Sequence, residues 1–289
     1  MFKNASNPLV LTATLLIGAA TVAAAPLRAT LELGDAHTFE LAQKTSVSVF
    51  GQSTDVESRF LYEIDTVDVA EDGATVNATF TAVRMKMSQG ERSEEFDSEA
   101  APEDIDENNP MVGALKPLVG ARMSLRVSSS GNIESINDAV IRSNAILSQL
   151  MNAESQRRSL TRLFRVEGAP DEIEVGDSWS IATVQDIDQL IGVRFTHTYT
   201  VESFEDGLYT IAMSGDANVL IRDENMPEDL RPELTLHEFD GEVIWNAEAG
   251  ILDRYAIVTD FTLAGMNPQL GQQVEARLRQ DQTLSRITD

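Results

Sequence analysis

Three histidines, many carboxylates and a set of large soft side chains are the residues of this chain with chemistry to offer. His37, His197 and His237 are the only histidines. No His-x-His or His-Glu-x-x-His spacing joins them, so nothing signals zinc held by histidine pairs. His197 alternates with Phe195 and Tyr199. That places it as a residue lining a core or pocket, with one ring nitrogen satisfied, rather than as a catalytic base. The stretch Glu91–Glu107 carries nine acids against one arginine. Within it Asp104, Asp106 and Asn108 alternate as the first ligands of a calcium loop would. Pro110 then follows, no glycine supplies the sharp turn, and Leu115 stands where a bidentate glutamate belongs. The expectation is a solvated acidic loop.

Cysteine is absent, which removes disulfides, thiolate metal sites and cysteine nucleophiles together. Serine-nucleophile motifs and the glycine loops that cradle phosphates or dinucleotides are missing too. The residues therefore name no catalytic group, no metal site and no cofactor. Paired carboxylates for hydrolysis stay a third choice, because 47 acids make such pairs uninformative. What remains is apolar. Met85, Met87, Met123, Trp179, Phe195, Tyr199, Met213 and Trp245 all fall on expected strands. They suit an ordinary sheet core. They would also line an apolar pocket in a curved sheet, where pliable methionines mould to irregular ligands, and they are the candidate ligand-binding residues.

The elements that must position them alternate with period two, the mark of half-buried antiparallel strands. Phe60, Tyr62 and Ile64 share one face, as do Phe195, His197, Tyr199 and Val201. Parity changes along 75–87, where Val76, Ala78, Phe80 and Ala82 give way to Val83, Met85 and Met87. Phe60–Ile64 giving way to Val67 and Val69 repeats the sign. Such shifts are what β-bulges produce, and bulges bend strands.

The pattern occurs twice. Glu32-Leu33-Gly34-Asp35 is matched by Glu174-Val175-Gly176-Asp177, and Glu71-Asp72-Gly73 by Glu205-Asp206-Gly207. Asp-Gly between alternating runs is a strong hairpin signal. Acidic loops at about Glu91–Pro110 and Asp223–Asp240 follow; Gly120 or Gly241 then opens a strand that turns at 129–132 or 247–250. Between the copies, 136–168 reads as helical, with Ile136, Val140, Leu147, Leu150 and Met151 at helical spacing, a polar break at Asn152–Arg158, and Leu160, Leu163 and Phe164 beyond it. The tail Gln272–Ile287 reads as a last strand. The expected fold is mostly β (α+β): a curved antiparallel sheet or half-barrel of two related meanders, 26–135 and 169–289, of about five strands each. The helical connector 136–168 lies between them, in one continuous globular unit.

Lys3, the apolar run Leu9–Ala20 and the small residues Val22–Ala25 form a secretory-signal pattern, with cleavage expected after Ala24 in a leader of about 25 residues. The rival reading is an uncleaved anchor, and no later segment has the length and apolarity to span a bilayer. A net charge of −25 disfavours nucleic acid and anionic membrane surfaces, which need clustered bases. Export, to the periplasm or beyond, is the expected address.

Several stretches resemble an exported bacterial domain-of-unknown-function family, family 6263. They are Gly34-Asp35 with Phe50-Gly51-Gln52, Asp72–Val76 with Arg84–Met87, Phe96-Asp97-Ser98, Asn109-Pro110, Leu118-Val119-Gly120 and Gly131-Asn132-Ile133. The likeness runs over about 30–280. It implies an exported β-rich protein and assigns no activity and no site residue.

Three functions follow in order. The first is a non-enzymatic exported protein that binds an apolar ligand, a lipid or an envelope partner in a curved-sheet pocket. The second is a structural or interaction module of the envelope with a solid core. The third is the hydrolase. A lined space of several hundred Å3 between sheet and helix would favour carriage; a close-packed interior would favour the module.

Overall fold

An alternating chain must bury one face and hydrate the other, and this chain meets that demand with one large sheet. The computed structural model describes residues 26–137, 153–186, 191–222, 226–267 and 272–288. The first half supplies β1 (Ala36–Val49), β2 (Gln52–Ala70), β3 (Gly73–Gln89), β4 (Arg92–Asp97), β5 (Arg122–Ser128) and β6 (Ile133–Asn137). The second supplies β7 (Ser178–Asp186), β8 (Ile191–Glu205), β9 (Leu208–Ile221), β10 (Glu233–Asn246), β11 (Ile251–Asn267) and β12 (Gln272–Ile287). Helices α1 (Pro110–Leu115) and α2 (Ala153–Phe164) complete the described elements, with short 3-10 turns. The order across the sheet is β6-β5-β3-β2-β1-β12-β11-β10-β9-β8-β7, with β4 paired to β3. The sheet is antiparallel, curved and open.

The duplication is written into this order. β1-β2-β3-β5-β6 and β7-β8-β9-β10-β11 are five-strand meanders laid down in the same sequence, and β12 joins them by pairing with both β1 and β11. Their openings use the same bonds. The Asp35 carboxylate accepts the Glu32 amide at 2.9 Å, Gly34 N–H donates to Thr66 O at 2.9 Å, and Thr66 N–H donates to Asp35 O at 2.9 Å. In the second copy Asp177 accepts from Glu174 at 2.8 Å, Gly176 donates to Val201 at 2.8 Å, and Val201 donates to Asp177 at 2.9 Å. The next residue, Val67 or Glu202, is skipped by the ladder, so both copies bulge at the same place. Four-residue turns at 129–132 and 247–250 also correspond.

Several expectations need correction. The Glu-Asp-Gly match is one residue out of register. The two-residue turn is Glu71-Asp72 in the first copy and Asp206-Gly207 in the second. Asp206 and Gly207 have φ of 50° and 77°, the left-handed pair of a tight hairpin turn. Gly73 instead begins β3, and a Cβ there would come within 2.2 Å of Val127 O. The first acidic loop contains β4, whose Phe96 is buried in the core. The second gives way to β10 at Glu233, so Gly241 sits inside a strand and opens none. Ile136 and Asn137 finish β6 and are not helical, while α2 runs through Ala153–Arg158, which the polarity reads as a break. Val140, Leu147, Leu150 and Met151 lie outside the described residues. The bulge read in 75–87 is at Thr81, skipped between Phe80 and Ala82. The second parity change is likewise a bulge, at Val67, although Val67 and Val69 are each 45% exposed and add nothing to the core.

A single hydrophobic cluster runs through both halves. Its two covers differ. Over the first half, Val112, Ala114, Leu115 and Leu118 of α1 and the turn after it are buried beside β3 and β4. Asn109 caps α1 by accepting from Met111 N at 2.9 Å, and Pro110 occupies the first turn, where no amide is required. The second cover, α2, buries Leu160, Leu163 and Phe164 toward β11 of the second half and β6 of the first. Residues 27–30 clamp the end of α2: Ala29 N–H donates to Phe164 O, Val166 N–H to Leu27 O and Thr30 N–H to Gly250 O.

Candidate ligand-binding face

Register decides what each face of the sheet can do. The inner face is the one carrying Phe39, Tyr62, Phe80 and Tyr255, all buried. In the middle strands β2, β1, β12, β11 and β10, every ladder-paired acid points away from it. Glu40, Glu57, Asp281, Asp260 and Glu238 all stand on the outer face, opposite or diagonal to arginine and lysine partners. The inner positions of β1 from Phe39 to Val49 read Phe, Leu, Gln, Thr, Val, Val. Those of β11 from Tyr255 to Leu263 read Tyr, Ile, Thr, Phe, Leu. Carboxylates reach this face only toward its margins among these strands and β4, where Glu94 stands beside Met87 and Asp253 pairs with Arg286.

That face changes character along the strands. Around Tyr255, Leu284 and Phe39 it is closed core. One level further, Gln43, Gln282, Gln280, Thr45 and Thr259 form a row of neutral polar groups, and Gln43 donates to Thr45 Oγ1 at 3.0 Å. Beyond that row the face turns apolar again. Val47 pairs with Leu278, Leu278 with Phe261, and Phe261 with Leu236. Val56 pairs with Thr45 and Met87, so the band continues onto β2 and β3. Val47, Val56, Leu278, Phe261 and Leu236 are only half buried, and Met87 is 39% exposed. At the same end Phe50 and Met266 are exposed near the strand tips, at 62% and 42%.

An aromatic cluster ties this band to the second half. Phe195 meets Phe261 edge-on at 5.8 Å and Phe239 at 6.1 Å, and His197 meets Phe239 edge-on at 5.0 Å. Gly215, paired with His197, leaves room for the Phe239 ring; a Cβ there would lie 2.1 Å from it, the reason a strand tolerates glycine at such a point. His197 shares a hydrogen bond with Thr183 Oγ1 at 3.2 Å through Nε2, while Nδ1 is buried without a partner. Burial first, then the charges of Arg162 and Arg158, lower its pKa to about 4, so the ring is neutral at physiological pH. His37 lies beside Phe39, and His237 bonds Thr262 on the outer face. No hydrogen bond among the described residues joins a histidine to a carboxylate.

The eight residues proposed to line a pocket do not come together around one. Met123, Tyr199, Met213 and Trp245 are buried core, Phe195 nearly so, and they are spread over both halves. Trp179 stacks on Tyr199 at 5.3 Å and donates Nε1 to Glu167 O at 3.0 Å. Met85 packs against the core beside Phe96, and Met87 alone reaches the open band. The open band was missed because Val47, Leu278 and Leu236 are ordinary aliphatic residues. The available signal was the parity of the acids, since every Asp and Glu in β1 and β12 falls on the opposite parity.

Two cavities bear on function. Between α2 and the sheet, a space of about 10 Å3 is lined by Arg162, Arg165, Glu167, Tyr199, Val243 and Tyr255. That is room for about one water, far short of the several hundred Å3 that carriage beneath the helix requires. On the outer face an open groove of about 490 Å3 is lined by Lys44, Glu57, Arg59, Arg84, Lys86 and Asp281 among others. Lys44 pairs with Glu57 at 2.8 Å, Arg59 with Glu40 at 2.8 Å and Arg84 with Glu95 at 2.8 Å. An anion entering there would compete with carboxylates already in place, so the groove reads as a hydrated ion-pair surface. No group of acids and histidines able to hold a metal ion occurs among the described residues, and no helix among them is long and apolar enough to cross a membrane.

Residues 71–167 match the model of a family of unknown function, DUF6263. The match begins at the β2–β3 turn and ends just after α2, about a third of the chain. It contains every quoted stretch of resemblance from Asp72 to Ile133 and leaves out Gly34-Asp35 and Phe50-Gly51-Gln52, so it is narrower than the resemblance implies. A search of curated proteins finds no match to the chain.

Proposed function

We propose that this chain is a non-enzymatic exported protein that holds the apolar part of a ligand on the uncovered strand ends of its inner face. One observation carries the reading. Val47, Leu278, Phe261 and Leu236 stand side by side across four strands, half buried, on a face where the middle strands β2, β1, β12, β11 and β10 place no ladder-paired acid, in a chain with 47 acids. Contiguous apolar surface on an otherwise highly charged protein marks a place where something binds. Export is supported by the leader pattern of the first 25 residues. The test uses N-phenyl-1-naphthylamine, an uncharged dye that brightens in apolar sites, with native mass spectrometry of protein purified without detergent. Dye uptake by the parent protein is expected, lost in Leu278→Glu and kept in Ser46→Glu on the outer face of β1. Absence of both dye uptake and retained lipid in the parent protein overturns the reading.

A second reading, a structural module of the envelope, is favoured by the small size of the space lined by Arg162, Tyr199 and Tyr255 beneath α2, about 10 Å3. It predicts the silent outcome of the same experiment, together with a salt-sensitive interaction through the acidic outer face.

A further inference from the structure

Half of the 18 arginines in this chain form ion pairs with carboxylates among the described residues. Arg59, Arg84, Arg126, Arg222, Arg277, Arg279 and Arg286 each form an ion pair with an acid. Arg162 is different. It projects from α2 onto the inner face, lies 4.3 Å over the Tyr255 ring and donates Nη1 to Gln282 Oε1 at 3.2 Å. Among the described residues no ion pair forms at its guanidinium. Glu167 and Arg165 line the small cavity beside it, and Glu167 forms no ion pair with it. A half-buried guanidinium held by a neutral amide and a ring face keeps donors in a fork suited to an anion.

The ladder sets the distance from this charge to the apolar band. Gln282 and Leu278 are four residues apart on β12 and point to the same face, a separation of about 13 Å at 3.3 Å per residue. Between them lies the neutral row of Gln280, Thr45 and Thr259. Charge, neutral polar row and apolar band thus follow one another along this line.

Resting on the binding reading above, we infer that the ligand is a single-chain amphiphile with an anionic headgroup, its charge on Arg162 and its chain across Leu278, Phe261 and Val47. Charge complementarity commits the face to this occupant: an uncharged lipid would leave the guanidinium unmatched, and a cationic one would be repelled.

The experiment displaces N-phenyl-1-naphthylamine with oleate or with oleyl alcohol, which share a chain and differ in charge, both kept below micelle-forming concentration. Oleate is expected to displace the dye at about tenfold lower concentration, the worth of one charge-assisted hydrogen-bond pair. Arg162→Gln should bring the two within about twofold, and Arg162→Lys should restore part of the gap. Gln282→Glu gives Arg162 an internal carboxylate, and should erase the preference while keeping the helix–sheet contact, which guards against a misfolded Arg162 variant. Equal displacement by the two compounds in the parent protein, or a preference that survives both Arg162→Gln and Gln282→Glu, overturns the anionic assignment and leaves the apolar site standing. No binding by any compound overturns the site and the assignment together.

Discussion

Arg277 holds Asp260 through two hydrogen bonds, Nε to Oδ1 at 2.9 Å and Nη2 to Oδ2 at 2.6 Å, across the β11–β12 ladder. The Asp260 side chain is 2% exposed although it stands on the outer, hydrated face. The guanidiniums of Arg277 and Arg279 close over it, and Arg279 reaches on to Glu238 and Asp281. The strand that joins the two meanders is thereby locked to the second one by charge as well as by backbone.

Asp260→Asn should destabilise the protein by about 2 kcal/mol at neutral pH, because a buried carboxylate gives up two charge-assisted bonds. Hydrogen bonds from Arg277 hold the Asp260 pKa below the usual carboxylate value. As pH falls, the unfolded chain therefore takes up this proton first. The contribution is complete above the ordinary carboxylate range and is lost as pH falls through it. Urea midpoints of parent and variant should converge in acid; a gap that is constant with pH would contradict this.

His197 works in another window. Burial keeps it neutral, with a pKa lowered to about 4, while an unfolded histidine titrates near 6.5. Stability is complete above that unfolded value and falls as pH drops toward 4. Burial and Arg286 lower the His37 pKa in the same direction. Unfolding free energies measured between pH 7 and 4.5 should decline less steeply in His197→Gln, and less again with His37→Gln added. Identical slopes in parent and double variant would count against two histidines kept neutral by partial burial.

Asp35 and Asp177 test the duplication energetically. Each carboxylate accepts one backbone amide at its meander's opening, at 2.9 Å and 2.8 Å. Asp35→Ala and Asp177→Ala should each cost about 1 kcal/mol, and the double variant should cost the sum, since the two openings lie in separate copies. Chemical denaturation of the four proteins is the measurement, and a loss confined to one copy would show that the motifs are not equivalent in the fold.

Gly215→Ala should cost about 1–3 kcal/mol by pushing the Phe239 ring off β9, because the new Cβ would lie 2.1 Å from that ring. The displaced ring bears on Phe195 and His197, so the NMR signals of His197 should move with it. An unshifted His197 would mean that the aromatic cluster yields elsewhere.

Much of this was legible before any coordinates. Alternation in 60–64 and 195–201 announced half-buried strands, because a pleated chain can bury only alternate residues. The parity change in 75–87 announced the Thr81 bulge. The two Glu-x-Gly-Asp openings announced two meanders, because the same local bonds need the same local residues. Turn register was less legible: Glu71-Asp72 and Asp206-Gly207 both close two-residue turns, and the shared Glu-Asp-Gly string concealed the one-residue offset.

The sequence by itself determined the class of the protein: β-rich, twice repeated, acidic, without cysteine chemistry or a nucleophile motif. Composition and short-range periodicity suffice for that, since both act between near neighbours. Tertiary structure alone decided which residues meet. β12 lies between β1 and β11, which sets Val47, Leu278, Phe261 and Leu236 in one band although some 230 residues separate the first two along the chain. The same long-range register buried Met123, Phe195, Tyr199, Met213 and Trp245 in core, left Met87 on the open band, and set Arg162 against a glutamine and a tyrosine ring. Periodicity fixes the face to which a side chain points; only the pairing of distant strands fixes its neighbours.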